Sequence, residues 1–250
     1  MNVSVVEIGI ISLVGILMGA MGAIIGSTLL VLVPMLSFMG LPIQTAIGTA
    51  KISVVGREVV PAIYFQRHKL VTLKLTVPFS TAAIIASYLG SIIAVSLQAH
   101  LLEKIVAVCM ISISLIILFN PSVGLKEKDT KRTLVHASIS ALLGAFVGIY
   151  AGIFGGGANV FIIFGFIFIF GNTFLQATAN SKLPNLLITA ASLPLFITND
   201  FVNWPIAIPL TISTAIGSYF GAKLAIDQGN KFIRGLFVGL VIVLAIRYLI

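Results

Sequence analysis

Ala46-Ile47-Gly48-Thr49-Ala50-Lys51 lies inside one apolar stretch, and Ala177-Thr178-Ala179-Asn180-Ser181-Lys182 lies inside another. The two lysines are 131 residues apart. The same offset, without a gap, carries Gly26 onto Gly157, Gly40 onto Gly171 and Pro78 onto Pro209. It also carries Ser87-Tyr88-x-Gly90 onto Ser218-Tyr219-x-Gly221. The chain is a duplication, and each copy buries one cation at the same place. A charge at the centre of a bilayer costs roughly 2.5–3.5 kcal/mol on the insertion scale, so a paired occurrence asks for a function. Two equivalent lysines read most simply as an anion site on the repeat axis.

The composition supplies the membrane. Of 250 residues, 59% are apolar and 9% charged, and the mean hydropathy is +1.17. A soluble domain of this length needs far more polar surface. The net charge of +8 comes mainly from Lys and Arg in short segments between apolar runs. There it orients a membrane protein and does not call for a nucleic-acid partner. The single Cys109 excludes an intramolecular disulfide and a Cys-based metal site. Residues 1–20 carry Glu7 and no basic segment, as expected of a retained membrane segment rather than a cleaved signal.

Apolar runs cover about 5–38, 43–65, 72–98 and 101–119, then about 134–170, 174–197, 203–225 and 231–250. Six of the eight have the length of one membrane-spanning helix, about 20 residues. The first run of each half is too long for that and is interrupted by glycine. The interruptions are Gly19, Gly22 and Gly26 in one copy, and Gly152 with Gly155-Gly156-Gly157 in the other. Glycine weakens a helix interior by about 1 kcal/mol relative to alanine. Each long run therefore reads as a re-entrant hairpin, with its broken backbone buried in protein or lining a cavity. Each half is then one hairpin plus three transmembrane helices, an odd number, and the halves are inverted.

Charge distribution agrees. Inversion collects ten cations on one side: Arg67, Lys69, Lys74, Lys126, Lys128, Lys131, Arg132, Lys223, Lys231 and Arg234. It leaves only Lys104 and Arg247 on the other. The parallel alternative divides them eight to four, a weaker positive-inside pattern. The expected architecture is an all-α polytopic protein of the cell membrane. Its first repeat is 1–119, a cytoplasmic linker 120–133 follows, and the second repeat is 134–250. Both termini are expected outside.

In such repeats the substrate sits near the midplane, beside broken helices. The half-helices restart near Gly26-Ser27-Thr28 and near Gly157-Ala158-Asn159. Their free N–H groups and positive dipole ends favour an anion. Ser27, Thr28 and Asn159 offer side-chain ligands, and Thr49 and Asn180 are polar neighbours two residues before the lysines. The substrate site expected from sequence is therefore Lys51, Lys182, Gly26, Ser27, Thr28, Thr49, Gly157, Ala158, Asn159 and Asn180. Arg57 and Glu58 break the symmetry, since Ile188 and Thr189 match them. They read either as a gate and a coupling group for a proton or cation, or as charges that neutralise groups on neighbouring helices. A buried ion pair is the bland alternative for the lysines. On its own helix Lys51 has Glu58 seven residues on, whereas the second half offers Lys182 only Asp200 and Asp227, both in loops.

Other signals are weaker. The spacings Gly15-x₃-Gly19, Gly144-x₃-Gly148-x₃-Gly152 and Gly217-x₃-Gly221 suit close helix packing, within the bundle or across a homodimer. The triple glycine is no nucleotide loop, because no Gly-Lys-Ser/Thr follows it. No nucleophile–base set, metal cluster or cofactor motif is legible, which argues against an enzyme.

The Gly-rich segments Gly15–Pro34 and Gly144–Gly165, the Ala46-Ile47-Gly48-Thr49 stretch, and Val202-Asn203-Trp204 leading to Gly217-Ser218-Tyr219-Phe220-Gly221-Ala222 together resemble the sulfite exporter TauE/SafE family of membrane permeases. The first copy departs from that pattern, having Gly22-Ala23-Ile24-Ile25-Gly26 in place of the glycine cluster. The resemblance implies transport of small sulfur-containing anions such as sulfite, thiosulfate or sulfonates. Its order of motifs carries it, and it does not choose the anion. The expected function is a secondary transporter working by alternating access. The alternatives are an anion channel, which would pass ohmic current rather than saturate, and a non-transport assembly factor in the membrane.

Overall fold

The computed structural model describes residues 5–26, 28–93, 124–126, 134–153 and 155–249. All regular structure in them is helical: α1 (Val5–Ile24), α2 (Leu29–Phe38), α3 (Ile43–Arg67), α4 (Leu73–Ile93), α5 (Leu134–Ile153), α6 (Ala158–Phe170), α7 (Phe174–Thr198) and α8 (Trp204–Leu249). Four helices carry windows long and apolar enough to cross a membrane, within α1, α4, α5 and α8. The expected run at 101–119 and most of the linker 120–133 lie outside the described residues.

The polarity of the bundle explains which helices lie where. α3 and α7 bury Lys51, Ser53, Arg57 and Glu58, and Asn180, Ser181, Lys182, Asn185 and Ser192. The surrounding helices turn large apolar side chains outward, among them Leu13, Ile85, Leu142 and Phe220. Hydrocarbon solvates neither charges nor unpaired amides, so the polar pair takes the centre and the apolar helices shield it. For the same reason α3 and α7 fall short of the apolar window despite their 25 residues each.

Both long first runs break where glycine breaks them. α1 ends at Ile24 and α2 starts at Leu29, with Gly26 at φ 82. α5 ends at Ile153 and α6 starts at Ala158, with Gly155 and Gly157 both at φ 82. The second hairpin folds back on itself: His136 stacks near Phe170, Gly165 faces Leu143, and Phe146 and Tyr150 both pack on Phe161. In the first, Glu7 and Ile10 of α1 face Pro34 and Phe38 of α2 across an open cavity of about 600 Å³. The last two expected runs, 203–225 and 231–250, are joined without a loop. α8 is helical on both sides of Gly229, whose φ of 71 and ψ of −164 bend the chain sharply. Only glycine adopts that backbone cheaply, which is why one residue serves where a loop was expected. Beyond the bend, Phe237 packs on Phe164 and Phe174.

The halves interlock by exchange. α1 lies along α8, with Gly217 against the Ile16 carbonyl and Gly221 against the Ala20 carbonyl. The equivalent α5 lies along α4, with Gly144 against Phe79, Gly148 against Ala83 and Gly152 against Ser87. The Gly-x₃-Gly spacings thus serve packing between the halves. α3 and α7 cross antiparallel at the centre: Gly48 meets Phe196, Lys51 meets Ser192, and Glu58 meets Asn185. An added Cβ at Gly90 or at Gly221 would lie 2.2 Å from the facing carbonyl oxygen. Gly90→Val and Gly221→Val should each lower stability by about 1–3 kcal/mol, whereas Gly9→Ala, with nothing within 4 Å, should be neutral or stabilising. Thermal unfolding in detergent checks this.

Candidate functional site

The four buried charges among the described residues are Lys51, Arg57, Glu58 and Lys182, all on the central pair. They form two clusters. In the first, Lys51 Nζ donates to the Ala151 carbonyl at 3.1 Å, the Gly152 carbonyl at 2.9 Å and Ser192 Oγ at 3.2 Å. It also sits 4.4 Å above the Phe196 ring. The carbonyls belong to the last turn of α5, where helix ends leave acceptors unpaired and the dipole is negative. Lys51 therefore caps the first helix of the other half.

Lys182 begins the same way. Its Nζ donates to the Gly22 carbonyl, 3.1 Å away, in the last turn of α1. It also lies 3.7 Å from Glu58 Oε2, so the carboxylate partner is Glu58. The ion pair weighed as the bland alternative for Lys51 is thus made by Lys182, for which the sequence showed no acid nearby. Seven residues on one helix looked close enough for Lys51, but the antiparallel crossing turns Glu58 toward α7. The two lysines are not brought together, since Lys182 meets α3 about 10 Å along its axis from Lys51.

The second cluster contains more donors. Arg57 Nη2 donates to Glu58 Oε1 at 2.5 Å and Asn185 Nδ2 donates to the same oxygen at 2.8 Å. Arg57 Nη1 donates to the Thr28 hydroxyl and to the Gly26 carbonyl. Sequence neighbours on a helix point to different faces, yet the long arginine bends back to its own neighbour's carboxylate. Gly22 makes room for it: an added Cβ there would lie 2.3 Å from Arg57 Cδ. Gly19 and Gly22, expected among the interruptions, lie within the continuous helix α1, and at Gly22 the missing side chain admits the arginine.

The two hairpin tips touch beside this cluster. Asn159 Nδ2 donates to the Ile25 carbonyl at 3.3 Å, and an added Cβ on Gly26 would strike the Asn159 amide. Thr178 Oγ1 donates to the Ile24 carbonyl. Gly157 is the N-cap of α6, Ala158 its first residue, and the Tyr150 hydroxyl donates to the Gly156 carbonyl. Arg57 Nε and Asn159 Oδ1 are buried without a hydrogen-bond partner. Gly26 thus meets Asn159 and, with Thr28, Arg57; Gly157 and Ala158 adjoin Asn159 in sequence, and Ser27 lies outside the described residues. Asn185 and Gly22 were missed. Asn185 follows Lys182 by three residues, on the same helix face, and that spacing was the available signal.

Thr49 and Asn180 do other work. Asn180 Oδ1 accepts the Thr72 N–H at 2.6 Å, and Thr49 Oγ1 accepts the Asn203 N–H at 2.9 Å. Thr72 and Asn203 are themselves 131 residues apart. Each side chain pins the entry to α4 or α8 in the other half and has its oxygen turned away from the hairpin tips. Among the described residues no three His, Cys, Asp or Glu side chains gather to hold a metal ion.

A shell of apolar helices around a charged centre is the architecture of a polytopic membrane protein, and the relatives make it a membrane transporter. Residues 11–248 match the family described as Sulfite exporter TauE/SafE, and the chain belongs to that family. It is 29% identical over 239 residues to the "Probable membrane transporter protein YfcA" of Escherichia coli strain K12, covering 94% of this chain and 87% of that protein. A "Probable membrane transporter protein" of Haemophilus influenzae is 26% identical, covering 95% of this chain and 92% of its own length. No solved structure matches. Thr49→Ala and Asn180→Ala should each cost about 1 kcal/mol through the unpaired N–H. Thermal unfolding with and without anion checks this, and both variants should keep the wild-type response to added anion.

Proposed function

We propose that this protein is a secondary transporter that moves a small sulfur-containing anion, such as sulfite, thiosulfate or an organosulfonate, across the cell membrane by alternating access. One observation carries the reading: two cations, Arg57 and Lys182, share one carboxylate, Glu58, in a buried cluster beside the broken helices, which leaves a net positive charge there. Burying unbalanced positive charge is expensive unless an anion completes the site. The family description supplies the sulfur chemistry.

The anion is placed at the hairpin tips, between Arg57 and Lys182, with Thr28, Gly26, Gly157, Ala158 and Asn159 around it and Ser27 adjoining in sequence. Lys51 holds the equivalent position in the other half by capping α5. This shifts the site away from a point midway between the lysines, because their ammonium groups serve separate clusters.

The two halves are read as inverted repeats about an axis through the α3–α7 crossing. Antiparallel packing of equivalent helices supports this, since equivalent spans pointing in opposite directions are what inversion requires. One end of the bundle is cationic. Tyr64 packs on Tyr219, setting the end of α3 against the part of α8 that precedes the Gly229 bend, with Arg67, Lys69 and Lys223 a few residues away in sequence. The Phe174 N–H donates to the Gly124 carbonyl and the Leu175 N–H to Asn230 Oδ1, bringing Lys126 and Lys231 to the same end. That end is assigned to the cytoplasm, with linker 120–133 on it and both termini outside. The repeats are 1–119 and 134–250. Rocking of one half on the other about the crossing would expose the tips to each side in turn.

The test is thermal stabilisation of purified protein by sulfite, thiosulfate, sulfate, a sulfonate and a carboxylate. Wild type should be stabilised selectively by a sulfur anion. Lys182→Ala should lose that response, as should Lys182→Ala combined with Lys51→Ala. Normal uptake or release of the anion by the double variant in proteoliposomes would overturn the reading.

A further inference from the structure

Glu58 stands where an anion would stand. Its Oε1 receives Arg57 Nη2 and Asn185 Nδ2 at 2.5 and 2.8 Å, and its Oε2 lies 3.7 Å from Lys182 Nζ. Oε2 is buried, with no hydrogen-bond partner. Donors from α3 and α7 therefore converge on one carboxylate, as they would on a bound oxyanion. The matching position in the second half is Thr189, so no acid occupies the equivalent place. There Lys51 is satisfied by two carbonyls and a hydroxyl instead.

We propose that Glu58 is a tethered stand-in for the transported anion. The anion displaces it only when Glu58 takes up a proton, so that one proton moves with each anion. The inference rests on the anion-site reading above.

The reasoning is electrostatic. An ionised Glu58 and a bound anion would compete for Arg57 and Lys182 at contact distance, and two like charges sharing one buried site repel strongly. Protonation removes that conflict. A proton from water on the open side adds to a Glu58 oxygen, and the neutral carboxyl leaves the donors to the anion. On the other side the anion departs, the proton leaves to water, and the carboxylate returns. A monoanion bound with one proton leaves the charge of the site as it was with Glu58 ionised. A dianion lowers it by one unit. Either exchange avoids leaving Arg57 and Lys182 unopposed.

Few other groups compete for this role. Among the described residues, α7 presents Lys182 to Glu58, α3 itself presents Arg57, and the tips contribute the uncharged Gly22 and Thr28. α8 meets α3 here with Thr211, Thr214 and Ala215, none of which titrates. Tyr150 hydrogen-bonds the Gly156 carbonyl on the far hairpin. Lys182 is thus the one rival proton carrier in contact with the carboxylate.

The experiment is calorimetric titration of the full-length protein with thiosulfate, whose charge is fixed across the range used, in buffers of different ionisation enthalpy and at several pH values. Wild type should take up close to one proton per anion, with affinity falling about tenfold per pH unit once Glu58 is ionised in the free protein. Glu58→Gln should bind thiosulfate with no proton uptake and with an affinity that does not change with pH. Binding by wild type without proton uptake overturns the inference and leaves the anion site standing. Uptake undiminished in Glu58→Gln also overturns it, assigning the proton to Lys182. Absence of binding by both proteins at every pH overturns the anion site, and this inference with it. If Glu58→Gln does not fold, Lys182→Arg takes its place, because arginine keeps its proton: uptake close to one proton per anion should remain, and its loss overturns the inference.

Discussion

Hydrocarbon offers no partner to a charge or an amide, and the antiparallel crossing of α3 and α7 is where this chain meets that constraint. The two helices carry the charged side chains of the interior, and each supplies what the other lacks. Glu58 of one serves Lys182 and Asn185 of the other, and Ser192 serves Lys51 in return. Everything outside follows from keeping lipid off that pair. α1 and α8 close one flank and α4 and α5 the other, in contacts so close that glycine is required where helix backbones touch. The hairpins reach inward as far as the lysines, whose ammonium groups cap the ends of α1 and α5.

Much of this was legible because duplication writes the same physics twice. A buried lysine at a constant offset, glycines at the middle of an overlong apolar run, and cations gathered in a few segments each have a local cause visible in one dimension. The Gly26 and Gly157 breaks fall where they were expected, and Ile25 and Gly26 meet Asn159 of the other hairpin. What one dimension hides is register between helices. Glu58 was weighed as a partner for Lys51 and not for Lys182, because helical spacing on one helix can be counted, whereas the approach of α7 cannot. Thr49 and Asn180 looked like ligands because they neighbour the lysines, yet they point to another face and hold Asn203 and Thr72. Gly22 looked like a helix breaker, yet it lies within α1, and the space it leaves depends on where a distant arginine lies.

The asymmetry of the centre matters as much as its symmetry. An ideal duplication would have two identical lysine sites. Here one half has Arg57 and Glu58 and the other Ile188 and Thr189. The symmetric parts, the lysine caps and the pinned loops, fix the frame. The unsymmetric pair concentrates the chemistry in one of two equivalent places, so the frame and the site can vary separately.

The exchange of contacts between halves also bears on how the protein is made. During synthesis the first half leaves the ribosome with Glu58 lacking Lys182 and Asn185, and with the Thr72 N–H lacking Asn180. None of these can be satisfied until the second half has entered the membrane. A fragment ending at the linker is therefore left with a naked polar seam and becomes a substrate for quality-control proteolysis, not a smaller working unit. The same seam would close between two separate copies of a single ancestral half, provided that half could enter the membrane in either orientation. Fusion through a linker then makes permanent an assembly that would otherwise depend on concentration.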